Sequence, residues 1–334
     1  LFFGDFDGIF SSNECLSVSI CMYFRQNDAP KVRKGKSMTI ACVGITVLDR
    51  VFRVSQLPTT GGKFVAKDYF EVGGGPAATA AVAISKLGTP VEFIGRVGSD
   101  DVAQTMLREF TSYGVGHSHV KQFENAASSF SAILVDDAGE RMIINYQSAQ
   151  LSRDPEWLKK ISFEQFQSVL CDVRWIPGAK YALEQAKSLG IPSVLDADIT
   201  PEDITELVEL ADHVAFSEPG LAKFSQVDDP LEGLRIAQTK TNGKVYVTVG
   251  SKGCYWLENG ELCHQPGFKV DVVDTTGAGD VFHGAFALAV ADKMDARAAV
   301  TFSSAVAALK CTKLGGREGV PDRSTAEAFI KANT

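Results

Sequence analysis

The sequence predicts an α/β fold: a doubly wound, mostly parallel sheet flanked by helices, with a small β-sheet lid. Three observations carry that expectation. From residue 38 onward, short apolar runs alternate with amphipathic or Ala-rich stretches, the pattern of repeated βαβ units. Two segments, about 46–72 and 128–147, interrupt the alternation with strand-like runs of their own. The string Asp274-Thr275-Thr276-Gly277-Ala278-Gly279-Asp280 then opens a helix whose apolar positions are Val281, Phe282, Ala285, Phe286 and Leu288.

Taken in order, the buried-looking runs at 40–44, 91–95, 168–172, 192–196, 213–216 and 245–249 read as strands. Between them, 76–87 is Ala-rich, 100–113 follows an N-cap candidate at Ser99, and 178–189 is amphipathic. Thr200-Pro201-Glu202-Asp203 reads as a helix start, with Pro at the first helical position. Residues 131–135 and 141–146 flank a turn at 136–140 and form a hairpin. This hairpin and segment 46–72 make the lid, set above the carboxyl edge of the sheet where open α/β folds bind ligands.

The chain has 334 residues, 45% hydrophobic and 22% charged, with a net charge of −8 and a pI near 5.3. That acidity argues against nucleic acid or an anionic membrane surface as a partner, so any anionic ligand has to be met by a local basic pocket. Seven cysteines show no C-x-x-C pair and no metal-like spacing with the five histidines, which suits reduced thiols in the cytoplasm. Residues 1–37 lack hydrophobic periodicity and end in the basic run Lys31, Arg33, Lys34, Lys36, so they are expected to be a disordered or non-native extension. Met38 reads as the natural start of a domain over 38–334. The apolar stretch at 16–24 is too short to span a bilayer.

The Gly277-Ala278-Gly279 turn at a helix start aims backbone N–H groups and the positive end of the helix dipole at one point, a cradle for phosphate oxygens. Asp280 sits in the first turn beside it and reads as a general base for phosphoryl transfer. His283, one turn further on, reads as a packing residue. His117, His119, His213 and His264 read as structural. Asp196 and Asp198 at a strand end fit either a phosphate path or a capping role, and Trp175 fits either stacking on a sugar or plain packing.

The 274–280 string with Gly284-Ala285, Gly73-Gly74-Gly75-Pro76 before an Ala-rich helix, and Phe93-Ile94-Gly95-Arg96-Val97-Gly98-Ser99-Asp100 resemble the ribokinase-like PfkB family of carbohydrate kinases. The resemblance runs from Met38 to the C-terminus. It implies ATP and Mg²⁺ as cofactors, Asp280 as the base, and Gly277, Ala278 and Gly279 holding the transferring phosphoryl group. It also implies that Asp49, at the end of the first strand, and the Gly73, Gly74 and Gly75 backbone bind sugar hydroxyls. Thr248, Gly250, Ser251, Gly253 and Thr275, with Gly277 and Gly279, are the implied nucleotide contacts, and 305–316 walls the adenine. A homodimer through the lid is implied as well. Two departures stand out: Thr79 replaces the family's usual Asn, and the Asn-x-x-Glu segment that orders Mg²⁺ is here Ser217-Glu218-Pro219-Gly220. The metal ligands are therefore left unassigned, with Glu218 as a candidate acting through water.

Within the family, residues 41–50, 172–175, 194–200 and 306–319 resemble the branch that phosphorylates the C1 hydroxyl of 6-deoxy-6-sulfofructose. A sulfonate is a fixed negative charge with weakly basic oxygens, so it calls for a cation and directed donors. Arg174 past a strand end, Asn145 on a lid strand and Lys63 after Gly61-Gly62 are expected to surround it. Fructose, a ketohexose phosphate or another sugar is the alternative substrate, and a non-catalytic sugar or nucleotide sensor is the alternative of another class.

Overall fold

The computed structural model describes Thr39–Thr334; the expectations for residues 1–37 and Met38 lie outside the described residues. The strands, in chain order, are β1 (Thr39–Val43), β2 (Val47–Arg53), β3 (Asp68–Gly74), β4 (Val91–Val97), β5 (Val120–Gln122), β6 (Phe130–Val135), β7 (Arg141–Tyr146), β8 (Phe166–Asp172), β9 (Ser193–Ala197), β10 (His213–Ser217), β11 (Lys244–Thr248), β12 (Cys254–Glu258) and β13 (Glu261–Gln265). The α-helices are α1 (Pro76–Lys86), α2 (Asp101–Ser112), α3 (Ile176–Leu189), α4 (Thr205–Leu210), α5 (Glu218–Ser225), α6 (Pro230–Gln238), α7 (Ala278–Ala291), α8 (Ala296–Lys310) and α9 (Arg323–Asn333).

Nine strands form one sheet in the order β13-β12-β11-β10-β9-β8-β1-β4-β5, parallel from β11 to β5 and antiparallel across β11-β12-β13. The winding reverses at β1, which pairs with β4 on one side and β8 on the other. A ligand crevice opens at such a switch point, outside the carboxyl ends of the strands. The lid is a separate sheet, β3-β2-β6-β7, with β2 and β6 parallel and the outer pairs antiparallel.

The central strands are buried on both faces, which explains their near-continuous apolar runs. One face packs on α1, α7 and α8 and the other on α3, α5 and α6. Helix α7 is buried from Val281 to Val290 and so lacks a polar face in sequence. At Gly284 a Cβ would stand 2.6 Å from the Ala80 carbonyl, so only glycine lets α7 and α1 approach this closely.

Three expectations need correction, and one hairpin has no counterpart among them. The N-cap of α2 is Asp100, not Ser99: its carboxylate accepts the Ala103 N–H at 3.0 Å and also the amide and hydroxyl of Ser128. Residues 200–203 are not helical; α4 starts at Thr205, where Asp203 accepts the Thr205 amide at 2.9 Å. Asp49 lies within lid strand β2 rather than at the end of β1. The β12–β13 hairpin went unread, although Asn259-Gly260, at φ 53° and 83°, has the chemistry of a two-residue primed turn.

Phe286 is fully buried on α7, with its ring 4.8 Å from Tyr246 and 5.9 Å from Phe282. Phe286→Ala is expected to lower unfolding stability by about 3–5 kcal/mol, read from urea denaturation.

Candidate active site

The crevice is framed by two carboxylates that serve the backbone. Asp172, buried at the end of β8, accepts the Ile45 amide at 2.9 Å and the Ala77 amide at 3.2 Å through Oδ2, and the Arg174 amide at 2.9 Å through Oδ1. It thereby ties together the end of β1, the start of α1 and the turn carrying Arg174. Burial pushes its carboxyl up to about 6 against the pull of those amides and with a push from Asp196. Asp274 organises the phosphate-loop side. Its Oδ1 accepts the amide and hydroxyl of Thr276 at 2.8 and 2.7 Å, and its Oδ2 accepts the Gly315 amide at 3.0 Å. Lys310 donates to its carbonyl at 2.8 Å, and Arg141 of lid strand β7 forms an ion pair with it at 3.0 Å. Burial works against its ionisation, but these donors and Lys310 hold the carboxyl down at about 2.

Gly277 precedes α7 at φ +70°, a left-handed turn that swings the chain into the helix. The expected cradle of three amides is reduced, because the Ala278 N–H is drawn back to the Thr275 carbonyl at 3.2 Å. Gly277 and Gly279 amides take no backbone partner among the described residues. Asp280 follows in the first turn of α7, partly exposed. Burial of its carboxyl, then the charges of Asp196, Asp198 and Asp172, push it up to about 7 against the pull of His283. A carboxyl poised there exchanges a proton near neutral pH.

On the nucleotide side, Thr248 ends β11 and donates its hydroxyl to the Phe216 carbonyl at 3.3 Å. Gly250 and Ser251 lie in a short 3₁₀ turn closed by Gly253, and Thr275 is exposed beside the phosphate loop. Glu218 is exposed at the first position of α5, behind the Ser217 cap. Among the described residues, no cluster of three or more His, Cys, Asp or Glu is set to hold an ion. That donor set fits Mg²⁺ carried in on nucleotide phosphates and water, which needs at most one or two carboxylates from the protein.

Of the residues expected at the sugar, Asp49 pairs with Val72 across β2–β3 and its carboxylate lies against Gly74, where a Cβ would clash with it, and Gly75 caps α1. Burial raises the Asp49 carboxyl, opposed by Ser131 and by Arg317. Arg317 was missed from sequence. It is 1% exposed, bonds the Gly74 carbonyl at 3.1 Å and Thr79 Oγ1 at 3.4 Å, and pairs with Glu109 at 3.0 Å. Thr79 therefore has a protein partner where the family pattern has Asn. A single Arg among glycines gave no periodic signal to find it by.

Arg174 lines a hollow of about 290 Å³ together with Arg96, Arg153, Ser129, Gln147 and Glu202. Its guanidinium pairs with Asp198 at 2.5 Å and bonds the Ile199 carbonyl at 2.7 Å. Arg153 pairs with Glu202 at 2.8 Å. Arg96 stacks 4.4 Å over Trp175, and its Nε is buried without a hydrogen-bond partner among the described residues. Burial and the Arg153 charge press its pKa down to about 10, so it stays charged at neutral pH. Trp175 is fully buried and donates to the Arg153 carbonyl, a packing role. Lys63 and Asn145 do not line this hollow: Lys63 is exposed in the loop before β3, and Asn145 on β7 accepts the Ser131 hydroxyl at 2.9 Å. A second hollow of about 320 Å³, lined by Asp198, Glu202, Lys223 and Gln226 among others, contains none of the other expected site residues. Asp280 lines neither hollow.

Known proteins place this geometry. The ribokinase of Haemophilus influenzae is 27% identical over 303 residues, covering 88% of this chain and 98% of its own length. The probable fructokinase-6, chloroplastic, of Arabidopsis thaliana is 26% identical, covering 89% and 84%. A solved structure from Agrobacterium tumefaciens superposes with a TM-score of 0.81 at 35% identity, covering 89% of this chain and 98% of that one. Residues 38–323 match the profile of the pfkB family carbohydrate kinases. The chain therefore belongs to the pfkB family of carbohydrate kinases and is an ATP-dependent sugar kinase of the ribokinase-like fold, working with Mg²⁺.

Proposed function

We propose that this kinase transfers the γ-phosphoryl group of Mg-ATP to the C1 hydroxyl of 6-deoxy-6-sulfofructose, with Asp280 as general base. The observation that carries the substrate is the hollow holding Arg96, Arg153 and Arg174 on a chain of net charge −8. Three guanidinium groups around one small volume suit an anionic end of the sugar. A sulfonate exchanges with Asp198 for Arg174 without changing the net charge at that guanidinium. Asp49 with the Gly73–Gly75 backbone takes the sugar hydroxyls. Gly277 and Gly279 amides receive the moving phosphoryl group, and Thr248, Gly250, Ser251, Gly253 and Thr275 hold the nucleotide. Glu218 meets Mg²⁺ through water.

The second reading keeps the chemistry and changes the sugar. The matched relatives are ribokinases and fructokinases by name, and those sugars carry no anion. Arg174→Ala decides between them: it is expected to raise KM for sulfofructose roughly 10-fold to 100-fold while leaving a neutral ketose within about twofold. An unchanged KM for the sulfonated sugar sinks that substrate, and a panel with fructose, fructose 6-phosphate and tagatose 6-phosphate names its replacement. Asp280→Asn is expected to lower turnover on the order of 10²-fold to 10⁴-fold with an unchanged melting temperature. Equal phosphoryl transfer by that variant removes Asp280 as the base.

The same proposal includes a cytoplasmic homodimer joined through the lid. Lid strand β7 is an unpaired edge, and Ile143 and Ile144 on it are 53% and 61% exposed. Ile144→Glu is expected to convert dimer to monomer in sedimentation velocity; a parent protein that already sediments as a monomer contradicts the dimer.

A further inference from the structure

His283 lies on α7 three residues after Asp280, the spacing at which helical side chains are neighbours. Its side chain is 3% exposed, and Nδ1 stands 3.0 Å from Oδ2 of Asp196, whose side chain is 2% exposed. The contact is close but off-axis: among the described residues, neither ring nitrogen and not Asp196 Oδ1 has an aligned hydrogen-bond partner. A neutral imidazole gains little from such a contact. Charge attraction needs proximity rather than alignment.

The other charged groups facing this pair are already engaged. Asp172 of β8 is held by three backbone amides. Asp198, beyond β9, pairs with Arg174 and accepts the Ser217 hydroxyl at 2.7 Å. Lys310 at the end of α8 has its ammonium on the Asp274 carbonyl. The remaining neighbour on α7 is the Phe282 ring, edge-on at 5.7 Å. Among the described residues His283 is the cation against Asp196, and it acts on Asp280 together with Lys310.

The geometry points to His283 as a positioning residue: an imidazolium anchored by Asp196 that keeps the Asp280 carboxyl ionised and able to take the sugar proton. This rests on the reading of Asp280 as the base. Burial by itself lowers the imidazole's pKa, but the close negative charge of Asp196, followed by Asp280 and Asp198, outweighs it and raises His283 above its ordinary value. In the transfer, the hydroxyl oxygen bonds to the γ-phosphorus, the bond to the β,γ-bridging oxygen breaks, and ADP leaves. The hydroxyl proton passes to Asp280, and His283 keeps its own throughout.

His283→Gln removes the charge and keeps a polar side chain of similar bulk. The acid limb of its kcat profile is expected to move to higher pH by about one unit or more, because an opposite charge this near favours the ionised carboxylate. Turnover should recover at alkaline pH, with KM for ATP held. A uniform loss at every pH with an unmoved limb identifies a packing residue and overturns the proposal. In the intact parent chain, NMR of isotope-labelled histidine gives a readout independent of turnover. The midpoint of His283 should lie above the ordinary histidine value and fall back in Asp196→Asn. A midpoint at or below the ordinary value in the parent overturns the proposal. If Asp280→Asn is inactive while the His283→Gln limb stays in place, the positioning role alone fails. Full activity in Asp280→Asn takes the base reading down with it.

Discussion

Like-charge crowding at the carboxyl ends of β8 and β9 is the constraint around which this site is arranged. Asp172, Asp196 and Asp198 all bear on Asp280, and together they lift its carboxyl to about 7 once burial has begun the rise. Each carboxylate has a different counterweight: amides for Asp172, a guanidinium for Asp198, an imidazole for Asp196. Phosphate from a nucleotide brings more negative charge to the same place, so the counterweights decide which carboxyl stays ionised when the site fills.

The scaffold supplies those counterweights from separate layers. The turn after β8 carries both Arg174 and the amide that Asp172 accepts, so a shift there disturbs two carboxylates together. Helix α7 presents Asp280 and His283 from a segment that is almost entirely buried, and Gly284 locks it backbone-close to α1. Helix α1 starts under Asp172, and its Thr79 meets Arg317, which also holds Gly74 at the end of β3. The end of β3, the start of α1 and the end of β8 are thereby joined by a few buried polar contacts, and not by the hydrophobic core alone.

The parallel strands were legible because burial on both faces writes itself as continuous apolar runs, and the lid hairpin because two strand-like runs flank the turn at 136–140. The phosphate loop was legible because two glycines and an acid at a helix start have a local chemistry. What stayed hidden depends on contacts between distant residues. Arg317 meets Gly74 across 243 positions, and nothing near either residue announces it. His283 looked like packing because its partner, Asp196, lies on another element. Asp100 displaced Ser99 as a cap because Ser128, 28 residues away, gives its carboxylate two more donors.

Asp274 and Asp280 bracket the same short loop with opposite ionisation behaviour, one held at about 2 and the other lifted to about 7. Mild acid therefore protonates Asp280 while Asp274 still grips Thr276 and Gly315. As pH falls, the contribution of Asp274 to stability is lost between the ordinary carboxylate value and about 2, after the upper group has been neutralised. Mild acidification thus neutralises Asp172 and Asp280 while the Asp274 contacts that tie the loop to residue 315 persist.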